Sequence, residues 1–443
     1  MVTRRNVSAN FGARMGRPLW PTESAQEIAL LVGVLPSGGK AWEVQDSLDE
    51  LALLADTAGA RIAERAVARQ SQPHPATFIG SGKAAQLAEQ AQSLGVNLVI
   101  FDDDLTPVQG RNLEETFGVK VLDRTQLILD IFARHAQTRE GRLQVELAQA
   151  EYMLPRLRRS ATTFGQQKGG IGLRGPGERQ IEIDRRQLQL RVTQLRRALD
   201  EVRERRAELR RSRHRQGWSL LTLVGYTNAG KSTLLNKLTG ADVLADDQLF
   251  ATLDPTTRKL TLPNKRAALL TDTVGFIRKL PHHLVESFKA TLEEVMQADV
   301  LLHVIDAAHP RVDEQIEAVD RVLAELGVQG KPVVHVLNKS DQPQTAGVSA
   351  RLVARLPRAT AVSALTGAGL DELVQLVADC LARERRTLHL RVPLAEAALL
   401  AALRSHNQIV AARYDEAFAD LEVNIPLEWV GKYTVFVVPE SAR

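Results

Sequence analysis

The sequence predicts an α/β protein built from several domains. Short apolar runs alternate with amphipathic helical segments in two separate regions, 26–135 and 219–383, as in parallel sheets covered by helices. Between these regions, apolar residues recur every three or four positions in a strongly polar background, which predicts two long paired helices. A chain of 443 residues also exceeds one ordinary core, which favours two to four domains.

The first region predicts a small amino-terminal α/β domain over 26–138, preceded by a flexible segment over 1–25. IALLVGVL at 28–35 predicts a buried strand, and VNLVIFDDDL at 96–105 predicts a second strand that ends in acids. TFIGSGK at 77–83 resembles a truncated phosphate loop; the full spacing is missing, which favours a tight turn before a helix. The acids Asp102, Asp103 and Asp104 could bind a cation, but a solvent-facing turn at the strand end is favoured.

Two polar helices with a narrow apolar strip predict an antiparallel coiled-coil hairpin over 139–216. Its predicted tip is the glycine-rich stretch FGQQKGGIGLRGPGE at 164–178. The strip is formed by Leu143, Leu147, Ala150, Leu154 and Leu157 in the first helix, and by Leu188, Val192, Leu195, Leu199, Val202 and Leu209 in the second.

Positive charge is concentrated in this hairpin. The whole chain has a net charge of +4, yet Arg156 to Arg215 contains 18 lysines and arginines against 7 acids, so the remainder is acidic. Such an arm indicates a polyanionic partner, and the few aromatic residues argue against a single-strand stacking groove and favour structured RNA. A merely solvated charged face is the open alternative.

The second α/β region contains the motif of a phosphate-binding loop. GYTNAGKS at 225–232 follows the apolar run LLTLV and precedes a helical pattern, which is the strand, loop and helix order that GxxxxGK[ST] requires. Backbone N–H groups and the helix end would hold phosphates, Lys231 would reach the terminal phosphates, and Ser232 would donate its oxygen to Mg²⁺. Downstream, Asp272 ends a strand and would hold the ion through water, while the Gly275 N–H would face the last phosphate.

Two further strand ends predict a guanine pocket. NKSD at 338–341 places a carboxylate, Asp341, where it can accept two hydrogen bonds from guanine, whereas adenine offers no such pair. Asn338 would orient the loop and Lys339 would pack over the base. The backbone of Ala364, in the strand end Ser363–Leu365, can meet the guanine oxygen. The nucleotide predicted from these motifs together is therefore GTP.

The region 219–366 resembles the translational GTPases related to Ras and Obg, and FATLDPTTR (250–258), DTVGFI, NKSD and GGIGLRGPGE resemble the HflX family. RVPLAEAALL and TFIGSGK resemble that family as well, so the likeness extends from about residue 26 to 439.

The resemblance implies that Thr252 contacts Mg²⁺ when GTP is bound, with Thr256 and Thr257 as competing choices. Lys231, Thr252 and Gly275 are the predicted catalytic residues, and Ser232, Thr252 and Asp272 the metal site. The predicted nucleotide contacts are Gly225, Tyr226, Thr227, Asn228, Ala229, Gly230, Lys231, Ser232, Phe250, Ala251, Thr252, Leu253, Asp254, Asp272, Thr273, Val274, Gly275, Asn338, Lys339, Ser340, Asp341, Ser363, Ala364 and Leu365.

Two positions depart from the general GTPase pattern. Phe276 follows Gly275 where many GTPases have a glutamine that orients the attacking water, so intrinsic hydrolysis is expected to be slow. Leu365 stands where a lysine is commoner, which matters little because the expected contact there is backbone.

The resemblance implies a factor that binds the large ribosomal subunit and its RNA, and splits or rescues stalled or idle ribosomes under stress such as heat. A GTPase domain at 217–384 and a small α+β domain at 385–443, closed by a strand YTVFVVP, complete the expected architecture. We expect a monomer when GTP is bound, without a membrane anchor, in the cytoplasm with a possible share at the membrane periphery. The lone Cys380 is expected in the core of a protein from a reducing compartment.

Three alternatives remain open at this point. The first is a GTPase for tRNA modification or ribosome assembly, which would bind tRNA or immature particles. The second is an RNA remodelling protein driven by ATP at its amino-terminal domain, with GTP only regulatory. A membrane-associated signalling G protein is disfavoured because no anchor is visible.

Overall fold

A computed structural model describes residues 26–157, 176–215, 218–241, 249–250, 252–263, 267–279, 292–328, 330–383, 385–406, 408–426 and 430–438. The predicted flexible segment 1–25, most of the hairpin tip and the predicted contact Ala251 lie outside these residues. The chain divides into two compact units, Met1–Asp123 and Arg124–Arg443. In the described part of the chain, no helix has the length and apolar character needed to cross a membrane.

The first unit contains a four-stranded parallel sheet with the strand order β2-β1-β3-β4. Its apolar strand faces and helices bury a common core, as the alternation of strands and helices predicts. The elements are β1 (Ile28–Leu35), α1 (Ala41–Thr57), β2 (Arg61–Arg69), α2 (Ser81–Ser93), β3 (Leu98–Phe101), α3 (Pro107–Phe117) and β4 (Lys120–Asp123).

The truncated phosphate motif in this unit forms the expected tight turn. Phe78 and Gly80 both have positive φ, 61° and 80°, and α2 begins directly afterwards at Ser81. The prediction of a solvent-facing acidic turn is wrong for Asp102, which is 1% exposed and accepts a hydrogen bond from Ser47 Oγ at 2.7 Å. Burial next to a hydroxyl donor explains the acid at this strand end. Among the described residues, no cluster of three or more histidine, cysteine or acidic side chains could hold a metal.

The second unit begins with three helices: α4 (Arg124–His135), α5 (Arg139–Leu157) and α6 (Pro176–Arg215). The predicted apolar strip is confirmed, because α5 and α6 bury Leu147, Ala150, Leu188, Val192, Leu195 and Leu199 in one cluster. On either side of the strip, Arg191 pairs with Glu146 and Arg196 with Glu151, each at 2.7 Å. The side chain of Leu209, the last predicted member, lies outside the described residues.

A six-stranded sheet follows, with the order β10-β9-β8-β5-β7-β6, in which only the edge strand β6 is antiparallel to its neighbour. Cys380 is buried in its core, as predicted. The elements are β5 (Ser219–Gly225), α7 (Lys231–Thr239), β6 (Thr256–Thr261), β7 (Ala267–Asp272), α8 (Glu293–Gln297), β8 (Val300–Asp306), α9 (Val312–Glu325), β9 (Val333–Asn338), α10 (Thr345–Arg355), β10 (Ala359–Ala361) and α11 (Leu370–Arg383).

The last elements form a three-stranded antiparallel sheet in the order β11-β13-β12, with a helix against it. They are β11 (Arg385–Pro393), α12 (Ala397–His406), β12 (Gln408–Tyr414), β13 (Phe418–Pro426) and α13 (Val430–Tyr433). The predicted closing strand YTVFVVP is confirmed only at its end: Tyr433 ends α13 and Thr434–Phe436 form a 3₁₀ turn, whereas Val437 forms an antiparallel bridge with Leu390 of β11. β13 lies between β11 and β12, and Asp415 accepts the N–H groups of Ala417 and Phe418 in the turn that leads from β12 back into β13.

Two histidines lie side by side inside the six-stranded sheet. His303 on β8 and His335 on β9 have ring centroids 5.7 Å apart. Burial, with smaller contributions from His335 and Lys231, lowers the pKa of His303 from 6.5 to about 3. The Nδ1 atom of His303 is buried without a hydrogen-bond partner among the described residues, so nothing here offsets the cost of a proton.

Acid is therefore expected to destabilise this sheet through His303. Below pH 6.5 the unfolded histidine binds a proton while the folded one stays neutral, so the free energy of unfolding falls as pH falls from about 7 towards 3. At pH 5 the loss from this one group is about 2 kcal/mol. His303→Leu should remove that share of the difference between urea unfolding at pH 7 and at pH 5. His389→Leu on β11 is the control, and an unchanged pH difference in His303→Leu would contradict the expectation.

Candidate active site

The phosphate-loop motif lies between β5 and α7, at the carboxyl edge of the six-stranded sheet. Leu221 and Leu223 bury the strand in the core, so its end and the following loop are fixed at that edge. Gly230 has a φ of 88°, and a Cβ there would lie 2.3 Å from Asn338 Nδ2. Only a glycine lets the phosphate loop and the predicted base-binding motif approach this closely.

Lys231 is buried at the start of α7. Its Nζ donates to the backbone oxygens of Tyr226 at 2.8 Å and Gly225 at 3.3 Å. Burial lowers the pKa of Lys231 to about 8, and the opposing effect of the nearby Asp272 carboxylate is smaller. An anion placed in the loop would favour the charged amine again, so the site is electrostatically suited to a phosphate.

Three oxygen-bearing side chains meet beside the lysine. Ser232 Oγ lies 2.6 Å from Asp272 Oδ2 and 2.8 Å from Thr252 Oγ1. Burial raises the pKa of Asp272 despite Lys231 and its hydrogen bonds, and its Oδ1 atom is buried without a partner among the described residues. The competing threonines Thr256 and Thr257 instead lie in β6, paired with β7. Thr252 is thus the threonine that reaches Ser232.

The segment after Asp272 lies directly over the phosphate loop. A Cβ on Gly275 would lie 2.8 Å from Thr227 Cα and 2.9 Å from Lys231 Nζ, so any side chain here would collide with the loop. Phe276 donates its N–H to Gly225 O at 3.0 Å and accepts the Thr227 N–H at 2.7 Å. Its ring is buried and apolar, so it offers no group that could orient a water molecule.

The two base-binding strand ends are joined by Asn338. Its Nδ2 donates to Ala229 O at 2.8 Å, and its Oδ1 accepts the Ala364 N–H at 2.9 Å. Ser363 Oγ donates to Asp341 Oδ1 at 2.6 Å. The phosphate loop, NKSD and SAL therefore form one assembly, and the Asp341 carboxylate is held in a fixed orientation by Ser363.

Lys339 has a partner that sequence reasoning missed, while its role over the base stays a prediction. Its Nζ pairs with Asp306 Oδ2 at 2.7 Å, and its backbone has a φ of 65°. The other oxygen, Oδ1 of Asp306, accepts the Ala308 N–H at 2.9 Å. Asp306 ends β8 as Asp272 ends β7, so a strand ending in an acid is the signal that could have identified it.

Several predicted nucleotide contacts direct their side chains elsewhere. Phe250 packs edge to face on Phe132 of α4 at 4.7 Å, Leu253 is buried, and Asp254 accepts hydrogen bonds from Gln137 and Thr138. The side chain of Phe250 thus packs on α4 and that of Asp254 binds the start of α5, while the role of these three residues as nucleotide contacts stays a prediction. No motif in the sequence connects Phe132 or Thr138 with the site.

The remaining predicted residues lie around the same loop. Tyr226 is buried, and its hydroxyl accepts the Arg278 N–H at 2.8 Å. Thr273 Oγ1 donates to Leu223 O at 2.6 Å, which secures the segment after β7 on the central strand. Val274 is buried, whereas Asn228 and Leu365 are exposed at the surface of the site. The Ser340 N–H donates to Val362 O at 3.0 Å.

A phosphate loop on the central strand, a carboxylate at the end of the next strand, and an Asn–Asp pair joined to it at the sheet edge define a P-loop GTPase. Three family models match the chain: GTP-binding GTPase N-terminal over 45–133, GTP-binding GTPase Middle Region over 135–213, and 50S ribosome-binding GTPase over 221–339. GTPase HflX of Lacrimispora saccharolytica is 43% identical over 403 residues, covering 91% of this chain and 94% of that protein. GTPase HflX of Escherichia coli K12 is 46% identical over 370 residues, with coverage of 83% and 86%. The chain belongs to the HflX family of GTPases, and the reaction it catalyses is hydrolysis of GTP.

Proposed function

We propose that the GTP-bound chain binds the large ribosomal subunit and splits or rescues stalled and idle ribosomes under stress, and that GTP hydrolysis resets it. The family model over 221–339 describes 50S ribosome-binding GTPases, which supports this target. Because ribosomes are its proposed target, we also propose that the chain acts in the cytoplasm, as a monomer when GTP is bound.

The observation that carries the proposal is the arginine-rich helix α6. It runs for 40 residues and ends at Arg215, just before the strand that leads into the phosphate loop. Arg191 and Arg196 pair with acids of α5 and Arg197 with Glu201 of α6 itself, yet the side chain of Arg197 is 87% exposed, and Arg186 and Arg205 are exposed as well. Exposed arginines on a rigid helix suit contacts with the phosphates and the shape of structured RNA. The helix proposed to contact RNA is thus the element that precedes, in sequence, the strand of the phosphate loop.

The side chains around Lys231 fit a magnesium ion. Ser232 and Thr252 would provide hydroxyl oxygens, and Asp272 would bind through water; its buried Oδ1, which has no partner among the described residues, could accept a hydrogen bond from that water. When bound, the ion would neutralise charge on the β- and γ-phosphates. Lys231 would orient the terminal phosphates, and Asn338 would hold the phosphate loop against the base pocket.

Thr252 and Gly275 are proposed to detect the γ-phosphate. Thr252 reaches Ser232 at the metal site, and Gly275 faces Lys231 across the loop. Both lie on segments that would be held while the γ-phosphate is present and released after hydrolysis. A GTP-dependent output further requires that the GTP form bind the ribosome more tightly than the GDP form.

GTP turnover with and without purified large subunits tests the proposal. The Phe276 side chain has no group that could orient a water molecule, and its backbone N–H and C=O are both hydrogen-bonded to the phosphate loop. Turnover by the chain alone is therefore expected to be slow. Large subunits should stimulate it by on the order of 10²-fold or more, as when a partner completes a GTPase site. Small subunits and tRNA at the same concentrations are the controls.

Other results would favour the alternatives. Fast turnover by the chain alone, with no stimulation, would contradict the proposal, and stimulation by tRNA or immature particles would favour the modification or assembly role. Splitting itself is measured by sedimentation of intact ribosomes with the chain and either GTP or GDP. Subunits should accumulate with GTP, and equal splitting with GDP would refute the proposed use of the GTP state.

A further inference from the structure

Asp254 links the magnesium-facing threonine to the helical hairpin. It lies two residues after Thr252 and accepts hydrogen bonds through both carboxylate oxygens. Oδ2 accepts the N–H groups of Gln137 and Thr138, each at 2.8 Å, and Oδ1 accepts the Thr138 hydroxyl at 2.5 Å. Both oxygens of the Asp254 carboxylate are thus directed at the start of α5 and not at the phosphate loop.

Thr138 in turn caps helix α5. Its Oγ1 accepts the Gly141 N–H at 3.0 Å, in the position of a helix N-cap. Asp254 therefore binds the residue that starts the first helix of the hairpin. The chain of contacts runs from Ser232 through Thr252 and Asp254 to Thr138 and α5.

Two further features are specific to this contact. A Cβ on Gly141 would lie 2.3 Å from Asp254 Oδ1, so the carboxylate occupies space that only a glycine leaves open. On the other side of Thr252, Phe250 is 3% exposed and packs on Phe132 of α4. The segment that holds Thr252 is thus anchored at both sides to α4 and the start of α5.

We propose that Asp254 is a positioning residue that couples Thr252 to the start of α5, so that the presence of the γ-phosphate alters the base of the arginine-bearing hairpin. With GTP, Thr252 is held and the Asp254 contact is kept; after hydrolysis Thr252 is released and the contact loosens. Coupling of this kind is reciprocal, so a partner that holds the hairpin also favours the GTP position of Thr252. The proposal rests on the role proposed for Thr252 at the metal site.

Amide hydrogen exchange at Gln137, Thr138 and Gly141 provides the test, with the full chain bound to GDP or to a non-hydrolysable GTP analogue. In the wild type, exchange should be at least about fivefold slower with the analogue, the size expected for one helix cap and its partner. In Asp254→Ala it should be fast in both states, and the preference for the analogue over GDP should fall about fivefold. Asp415→Ala, which removes a similar carboxylate from a turn before β13, should change neither quantity.

Gly141→Ala separates positioning from helix stability. Alanine favours a helix over glycine, so helix propensity alone predicts equal or slower exchange at the start of α5. The proposal predicts the opposite, because the new methyl group displaces the Asp254 carboxylate and removes the nucleotide dependence. Gly347→Ala in α10, where no atom lies within 4 Å of the added Cβ, is the matched control.

The outcomes are distinguishable. Equal exchange in the two nucleotide states of the wild type, or an unchanged nucleotide dependence in both Asp254→Ala and Gly141→Ala, would overturn the proposal. A loss of analogue preference without any change in exchange at α5 would also overturn it, since Asp254 would then act on Thr252 alone. If Thr252→Ala leaves the analogue affinity unchanged, the proposed metal role of Thr252 fails instead.

Discussion

Asp341→Asn is expected to move the preference of the site from guanine towards xanthine nucleotides. The carboxylate can accept two hydrogen bonds from guanine, whereas the amide presents a donor that suits the oxygen of xanthine. Ser363 holds Asp341 at 2.6 Å, and Asn338 holds the neighbouring Ala364 N–H, so the pocket is rigid enough to discriminate. Competition of GTP and XTP against a fluorescent nucleotide should show the affinity ratio shifting by on the order of 10³-fold or more, as when a polar site loses its partner.

A matched substitution controls for the loss of one negative charge. Asp371 is exposed in the first turn of α11, so Asp371→Asn should leave the ratio unchanged. Ser363→Ala removes the hydroxyl that orients Asp341 and accepts the Thr366 N–H, and it should weaken GTP binding by about tenfold without favouring XTP. If Asp341→Asn binds XTP no better relative to GTP than the wild type does, the proposed base pocket is wrong.

Lys231→Ala is expected to reduce GTP hydrolysis by on the order of 10²–10³-fold, the usual effect of removing one preorganised donor from a charged transition state. In the structure its amine is buried against Gly225 and Tyr226, and burial lowers its pKa to about 8. A bound phosphate would restore its charge and draw it into the site. Single-turnover hydrolysis at saturating chain concentration measures the chemical step without the weaker binding. Lys237→Ala, on the exposed side of the same helix, should hydrolyse GTP at the wild-type rate.

The same variant separates the ribosome proposal from an RNA remodelling role. If the amino-terminal unit unwound RNA with ATP, unwinding would survive Lys231→Ala, because Lys231 belongs to the second unit. Under the proposed function, Lys231→Ala should lose ribosome splitting together with hydrolysis, or each molecule should split one ribosome and then stop because it is not reset. Wild-type hydrolysis by Lys231→Ala would mean that this loop is not where GTP is cleaved.

The local patterns were sufficient for the main elements. Repeats of three and four residues predicted the apolar strip of α5 and α6, and apolar strand runs placed β1, β3, β5, β7 and β9 near their observed positions. The order of the phosphate loop, DTVG and NKSD placed those side chains at neighbouring strand ends, because parallel strands present their carboxyl ends at one edge. These features depend on residues close in sequence, which a single chain displays directly.

Other features depended on residues distant in sequence. YTVFVVP has the composition of a strand, but Tyr433 ends α13 and Thr434–Phe436 form a 3₁₀ turn, so among the described residues of this segment only Val437 forms a bridge, with Leu390 of β11. Asp306 pairs with Lys339, and Asp254 with Thr138, across 33 and 116 positions of the chain. No sequence motif around Asp306 or Asp254 indicates which residue it will bind.

The sequence by itself thus determined the GTP-binding motifs, the basic hairpin and the α/β class of this protein, because spacing and periodicity carry them. Only the tertiary structure decided which threonine reaches Ser232, where Lys339 is held, and that the segment around Thr252 is anchored to α4 and α5. These choices follow from which buried groups and backbone donors come within hydrogen-bonding distance once the sheet and helices have packed. The sequence does not show which of these distant groups will come close enough to bind one another.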